Sequence, residues 1–237
     1  MRGRHARVLR KEQPVYVGGD PFNGGMVIAI DGPAGAGKST VARSVARALG
    51  FTYLDSGAMY RCVALAALEA GIDLDDGERL GKLAWDLDID FAGDTIRLDG
   101  KPVEGRIRSP EVTVAASRVS VHPQVRQAMV KRQRELIAAG NYVAEGRDIG
   151  TVVSPDSPLK VFLTANERER ARRRAADSGE SVVEVQTAMR DRDKRDRERA
   201  DSPLRQAEGS VDIDTTDLTP EEVVERIVRQ ARERGIA

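Results

Sequence analysis

The apolar run Met26-Val27-Ile28-Ala29-Ile30-Asp31 passes directly into Gly32-Pro33-Ala34-Gly35-Ala36-Gly37-Lys38-Ser39-Thr40, and a helical pattern follows from Thr40 to Leu49. A strand, a G-x-x-x-x-G-K-[ST] turn and a helix in that order form a phosphate loop. Its glycines permit backbone angles that aim successive N–H groups into one cavity, and the helix adds its positive N-terminal end. Phosphate oxygens are what such a nest holds, so the segment predicts binding of a nucleoside triphosphate across Gly32 to Thr40. Lys38 is expected to reach the β- and γ-phosphates. The Ser39 hydroxyl is expected to ligate the Mg²⁺ that bridges them.

The rest of the chain fits that start. Short β-type runs at Met26 to Asp31, Phe51 to Leu54, Tyr142 to Glu145, Leu159 to Leu163 and Val211 to Asp214 alternate with helical patterns. This alternation predicts an α/β fold, a parallel sheet of about five strands with helices on both faces, in which ligands sit beyond the carboxyl ends of the strands. At 237 residues the chain can hold one such domain and a small insert. Between about Asp86 and Arg108 the period shortens to two, and turn signals at Gly93-Asp94 and Asp99-Gly100 predict an antiparallel meander. Ser109-Pro110-Glu111 and Thr219-Pro220-Glu221-Glu222 read as capped helix starts. From Glu167 to Asp201 the composition is charged, with Asp177-Ser178-Gly179 dividing it into two helices.

Several function classes fall away. Lys and Arg number 38 and Asp and Glu 38, so net charge predicts neither a nucleic-acid wrapper nor a membrane-surface binder. No stretch approaches the ~20 apolar residues of a membrane span. The one cysteine, Cys62, lies in an apolar run as a packing residue and fits a reducing cytoplasm. His5 and His122 lack the neighbours of a metal site or a nucleophilic triad. Residues 1 to 25, Arg-rich and then Gly/Pro-rich, read as a disordered extension or an upstream start before Met26, with a nucleic-acid-binding arm as the alternative.

Three further segments carry candidate chemistry. In Asp55-Ser56-Gly57-Ala58-Met59-Tyr60-Arg61, Ser56 could simply cap a helix, whereas Arg61 lies where a guanidinium could return to the cleft and grip a second phosphate. In Ala144-Glu145-Gly146-Arg147-Asp148-Ile149-Gly150-Thr151, Glu145 is placed like an acid that holds Mg²⁺ through water. Arg147 and Asp148 are either a surface ion pair or part of a strand-end site. The run Arg190 to Arg199 could be a solvated helix laced with ion pairs worth about 0.3 kcal/mol each. Its excess of arginine over lysine points instead to a lid that clamps phosphate and keeps water from the reacting group.

The ordered set DGPAGAGKST, LDSGAMYR, EGRDIGT and the run Arg192-Asp193-Lys194-Arg195-Asp196-Arg197-Glu198-Arg199 resembles bacterial cytidylate kinases, from Met26 to the C-terminus. The resemblance implies transfer of the γ-phosphoryl group of MgATP to CMP or dCMP, in line and without a covalent intermediate, by a cytoplasmic monomer. It implies a monophosphate clamp of Arg61, Arg147 and Arg199, and cytosine readers Ser56, Ser117, Arg126 and Asp148. Arg192 and Asp196 would be lid residues reaching the sugar and phosphates, so that Lys38, Arg147, Arg192 and Arg199 attend the transfer. It also implies a monophosphate-binding insert at about 86–108 and a lid at about 167–201. A carboxylate such as Asp148 attracts the exocyclic amine of cytosine and repels the carbonyl of uracil.

Three other readings compete: a phosphate-loop kinase for another acceptor such as UMP or a shikimate-like alcohol, a nucleotide-switched module, and an RNA binder. No N-K-x-D guanine-reading motif occurs in the chain. The Arg-rich segment carries nearly as many acids as bases and no aromatic residue for stacking.

Overall fold

Strand β1 (Val27–Asp31) is buried along its whole length and forms the middle of the sheet. Its neighbours explain its composition. In the computed structural model, which describes residues 25–93, 95–179 and 181–236, β1 pairs in parallel with β6 (Tyr142–Gly146) on one side and β7 (Leu159–Thr164) on the other. Strand β2 (Thr52–Asp55) extends the sheet beyond β6 and β8 (Val211–Asp214) beyond β7, giving the order β2-β6-β1-β7-β8, all parallel. A central strand covered on both faces must be apolar throughout. Ile28 and Ile30 are fully buried, and truncating either to alanine would cost about 2–5 kcal/mol.

Helices α1 (Lys38–Leu49) and α9 (Pro220–Glu233) pack together and close one face, sharing a core with Ile28, Ile30, Val161 and Leu163. The other face is covered by α2 (Ser56–Glu69), α3 (Gly77–Asp86), α5 (Pro110–Val119) and α6 (Pro123–Ile137). Antiparallel strands β3 (Ile89–Ala92), β4 (Thr95–Leu98) and β5 (Lys101–Pro102), with the one-turn α4 (Glu104–Ile107), stand beside that face and place Ile89, Ile96 and Leu98 in the same core. The charged segment folds as α7 (Glu167–Ser178) and α8 (Val182–Glu198), packed on each other. Ser109 and Thr219 cap α5 and α9 as expected, Thr219 within a full capping box. The extension read at residues 1 to 25 lies, apart from Gly25, outside the described residues.

Local differences from the sequence reading have local causes. Helix α1 begins at Lys38, two residues before the expected Thr40, because Gly37 at φ 85 turns the chain into it at once. Helix α2 is capped by Asp55, which accepts from Ala58 N at 2.8 Å, so Ser56 is its first residue and not its cap. A π-helical turn, Ile149–Val153, follows β6 where no element was expected. Among the described residues no helix is long and apolar enough to cross a membrane.

Candidate active site

Three strand ends converge on one cleft. The phosphate loop leaves β1, α2 leaves β2, and the Arg147-Asp148 turn leaves β6. The loop passes so close to β7 that a Cβ on Gly32 would lie 2.1 Å from Leu163 O, and Gly35 holds φ 74. No other residue type fits the first position, and few tolerate the second.

Lys38 is buried, and its Nζ donates to Pro33 O at 2.8 Å. Burial, reinforced by the nearby Arg147 and Arg192 guanidinium groups, pushes its ammonium down to about 7. Glu145 lies beside it, accepting from Tyr53 Oη at 2.6 Å and from the Ser39 hydroxyl. Burial raises the Glu145 carboxyl above its ordinary value, and the charge of Asp55 adds to this. Asp31 closes β1 with one oxygen on Ile149 N at 2.9 Å and the other on Gly150 N at 2.8 Å. Burial carries its carboxyl to about 6 even so.

Opposite the loop lies a cluster of guanidinium groups. Burial, together with repulsion from Arg147, Arg61 and Arg174, lowers Arg192 to about 9. Arg61 is lowered as well, by burial and by Arg108 and Arg174. Among the described residues neither Arg61 nor Arg192 has a salt-bridge partner, and mutual repulsion of this kind is relieved by bound polyanions.

The second sub-site is a carboxylate–guanidinium network. Arg126, only 1% exposed, pairs with Asp148 and lies 5.7 Å from the Tyr60 ring. Arg199 Nη2 lies 3.7 Å from Asp148, Arg199 Nη1 lies 3.8 Å from Asp196, and Arg147 Nε donates to Asp196 at 2.8 Å. Burial opposes charge on Asp196, yet Arg147, Arg192 and Arg199 hold its carboxyl below the usual range. Asp148 is shifted upward by burial, which Arg126 and Arg199 only partly offset. Arg126 Nε, Arg199 Nη2 and Tyr60 Oη are buried with no hydrogen-bond partner. Unpaired buried donors around one acid are costly unless a ligand meets them.

The expected residues are thus largely brought together. Lys38, Ser39 and Glu145 gather at the loop, Arg61 and Arg192 face them, and Arg126, Arg147, Asp148, Asp196 and Arg199 form the network. Two differ in detail. Ser56 donates to Glu145 O at 2.6 Å, leaving its lone pairs for other contacts, and Ser117 accepts from Arg195 Nε of α8 at 3.0 Å. Sequence reasoning missed Asp31, Tyr53, Tyr60, Asp193 and Arg170. A lone acid ending an apolar strand was the available signal for Asp31, and Asp193 repeats Met189 and Asp196 at helical spacing.

Among the described residues no three His, Cys, Asp or Glu side chains gather as a metal site. The hydroxyl of Ser39 beside the carboxyl of Glu145 is an oxygen-only donor set, which suits Mg²⁺ completed by water and phosphate oxygens.

A phosphate loop at the centre of a parallel sheet, an adjoining guanidinium cluster and a charged helical pair over both define a nucleotide-dependent kinase of the phosphate-loop class. The comparisons with known proteins narrow that class. The family model for cytidylate kinase matches residues 28–233. A cytidylate kinase of Caldanaerobacter subterraneus is 49% identical over 210 residues, spanning 86% of this chain and 94% of that protein. One from Pseudomonas aeruginosa is 46% identical over 222 residues, spanning 88% and 96%. The chain belongs to the cytidylate kinase family. A crystal structure of an uncharacterized protein from Eubacterium ventriosum shares the fold, with a TM-score of 0.50 at 13% identity over 87% of this chain and 98% of that one.

Proposed function

We infer that this chain transfers the γ-phosphoryl group of ATP to CMP, and to dCMP, giving the nucleoside diphosphate and ADP. The observation that carries the reading is the pairing, in one cleft, of the phosphate loop with the buried Arg126–Asp148 pair, around which Arg126 Nε, Arg199 Nη2 and Tyr60 Oη lack hydrogen-bond partners.

ATP lies with its triphosphate on the loop from Gly32 to Thr40, and Lys38 leaves Pro33 O for the β- and γ-phosphates. Ser39 directly, and Glu145 through water, would hold Mg²⁺, which would supply charge neutralisation for the triphosphate. Arg61, Arg147 and Arg199 grip the phosphate of CMP. Asp148 accepts from the cytosine amine, while Arg126, Ser117 and Ser56 attend the ring, and Arg192 and Asp196 reach the sugar and phosphates from the lid. Positioning and electrostatics perform the transfer, with the attacking phosphate oxygen and the leaving ADP in line and no covalent intermediate. The lid keeps water from the γ-phosphate until the acceptor is in place.

Both nucleotide sites are built from residues of one chain, so the proposed reaction asks for no residue from a second copy. Burial pushes the Cys62 thiol up to about 12, and an inert thiol without a disulfide partner in this chain suits the cytoplasm. Assaying CMP, dCMP, UMP, AMP and GMP side by side tests the reading. CMP and dCMP should be turned over well ahead of UMP, and equal rates with CMP and UMP would remove the role given to Asp148.

A further inference from the structure

The lid meets the phosphate loop along Pro33 to Gly35, and one peptide there is held at both ends. Its carbonyl, Pro33 O, accepts from Lys38 Nζ at 2.8 Å, and its other end, Ala34 N, donates to Asp193 Oδ1 at 3.3 Å. Arg170 completes the contact, donating through Nη1 to Asp193 Oδ2 at 2.6 Å and to Ala34 O at 2.9 Å. Both lid side chains are buried, at 4% exposure for Asp193 and 7% for Arg170. Ala171, Ala175, Val185 and Met189 pack with Ala34 as a small apolar cluster around them. A Cβ on Gly35 would lie 2.8 Å from both Arg170 O and Met189 Cε, so the lid is seated tightly on the loop.

We propose that Asp193, together with Arg170, is a positioning residue that ties the lid to the phosphate loop and sets the peptide on which Lys38 rests. A carboxylate bound to one end of a peptide unit polarises it and makes the carbonyl at the other end a better acceptor. Asp193 therefore acts on Lys38 through the Pro33–Ala34 peptide without touching any substrate. A buried carboxylate and guanidinium persist together only where further hydrogen bonds satisfy them, and here the main chain supplies these, Ala34 N for Asp193 and the carbonyls of Ala34 and Ala165 for Arg170. When Lys38 leaves Pro33 O for phosphate, the peptide it releases is still held by the lid. The loop thus keeps its shape at the moment its internal lysine contact is lost. This inference rests on the kinase reading above, and its test includes an arm that reads no turnover.

The test compares Asp193→Ala, Asp193→Asn and the charge-swapped pair Arg170→Asp with Asp193→Arg, in the full chain. Amide exchange of the ligand-free protein is read at Ala34 and along β1, and the kinetic constants are read for ATP and CMP separately. Losing a hydrogen bond to a charged group should speed exchange at Ala34 about 10-fold in Asp193→Ala, with β1 unchanged. The KM for ATP should rise about 10-fold while that for CMP stays within about twofold. Asp193→Asn, which keeps an oxygen but not the charge, should fall between, and it preserves the readout if the alanine variant unfolds. The swap should restore neither quantity, because arginine at position 193 presents donors to the donor N–H of Ala34. Recovery on swapping would reduce the pair to an ion pair between α7 and α8 and overturn the proposal, as would unaltered Ala34 exchange in Asp193→Ala and Asp193→Asn. Failure of the kinase reading would show separately, as wild-type protein that forms no CDP while the exchange pattern persists.

Discussion

The two ends of the cleft are suited to anions by different physics. At the phosphate loop the main chain carries the work, as N–H groups fixed by Gly32, Gly35 and Gly37 and the start of α1, with one side-chain cation in Lys38. At the other end side chains do it, as guanidinium groups held by buried carboxylates, Arg126 on Asp148 and Arg147 on Asp196. A main-chain nest is tolerant of side-chain identity and recognises only phosphate, whereas a charge network is costly to disturb and can tell one base from another. Donor and acceptor ends should therefore respond to mutation in different ways.

The largest effect is expected where the nest depends on a single side chain. Lys38→Ala should lower kcat by on the order of 10² or more, by analogy with losing a preorganised charge stabiliser. Near-normal CMP phosphorylation by that variant would refute the role of the loop. Next comes Asp148→Asn, which leaves Arg126 buried without its charge partner. Stability should fall by about 3 kcal/mol, and the kcat/KM ratio of CMP to UMP should fall by about 10²-fold or more. A variant that loses CMP activity but keeps its preference over UMP would put the base-reading group elsewhere.

Asp31 joins the two ends, since it closes β1 before the loop and holds the turn after Arg147 and Asp148. Its folded value of about 6 lies above the ordinary 3.8, so the folded protein holds a proton there that the unfolded chain has released. The stability contributed by wild-type Asp31 relative to Asp31→Asn should therefore fall as pH rises from about 4 to about 6, by on the order of 3 kcal/mol. Denaturation of both proteins across that range checks it, and a flat difference would contradict the burial described. The smallest effect is a proton count. Lys38 in the ligand-free protein is lowered to about 7, and phosphate returns it toward its ordinary value, so ATP binding at pH 8 should take up ~1 proton, less in Lys38→Met. Calorimetry in two buffers of different ionisation enthalpy measures the uptake.

The same contrast decided what could be read without a structure. The donor site is contiguous in sequence, and each residue from Gly32 to Thr40 serves one local geometry, so its motif carries its own physics. The five strands were legible for the same reason, because buried parallel strands must be apolar and short. The proposed acceptor site draws on residues from Ser56 to Arg199, spaced by the topology, and its membership came from a family resemblance. Asp193 and Arg170 were hidden more deeply. In the sequence they are two charges in a helical pair full of charges, and only the packing of α7 and α8 on Ala34 separates them from the solvated ion pairs alongside, such as Arg172 with Glu169.

In the proposed reaction one cleft brings ATP and CMP together and withholds ATP from water until CMP arrives. ADP formation by the purified protein, measured with and without CMP at fixed MgATP, tests it most directly. Stimulation by CMP of at least about 10²-fold is expected, with one CDP formed for each ADP. ADP appearing at the same rate in both reactions would contradict it.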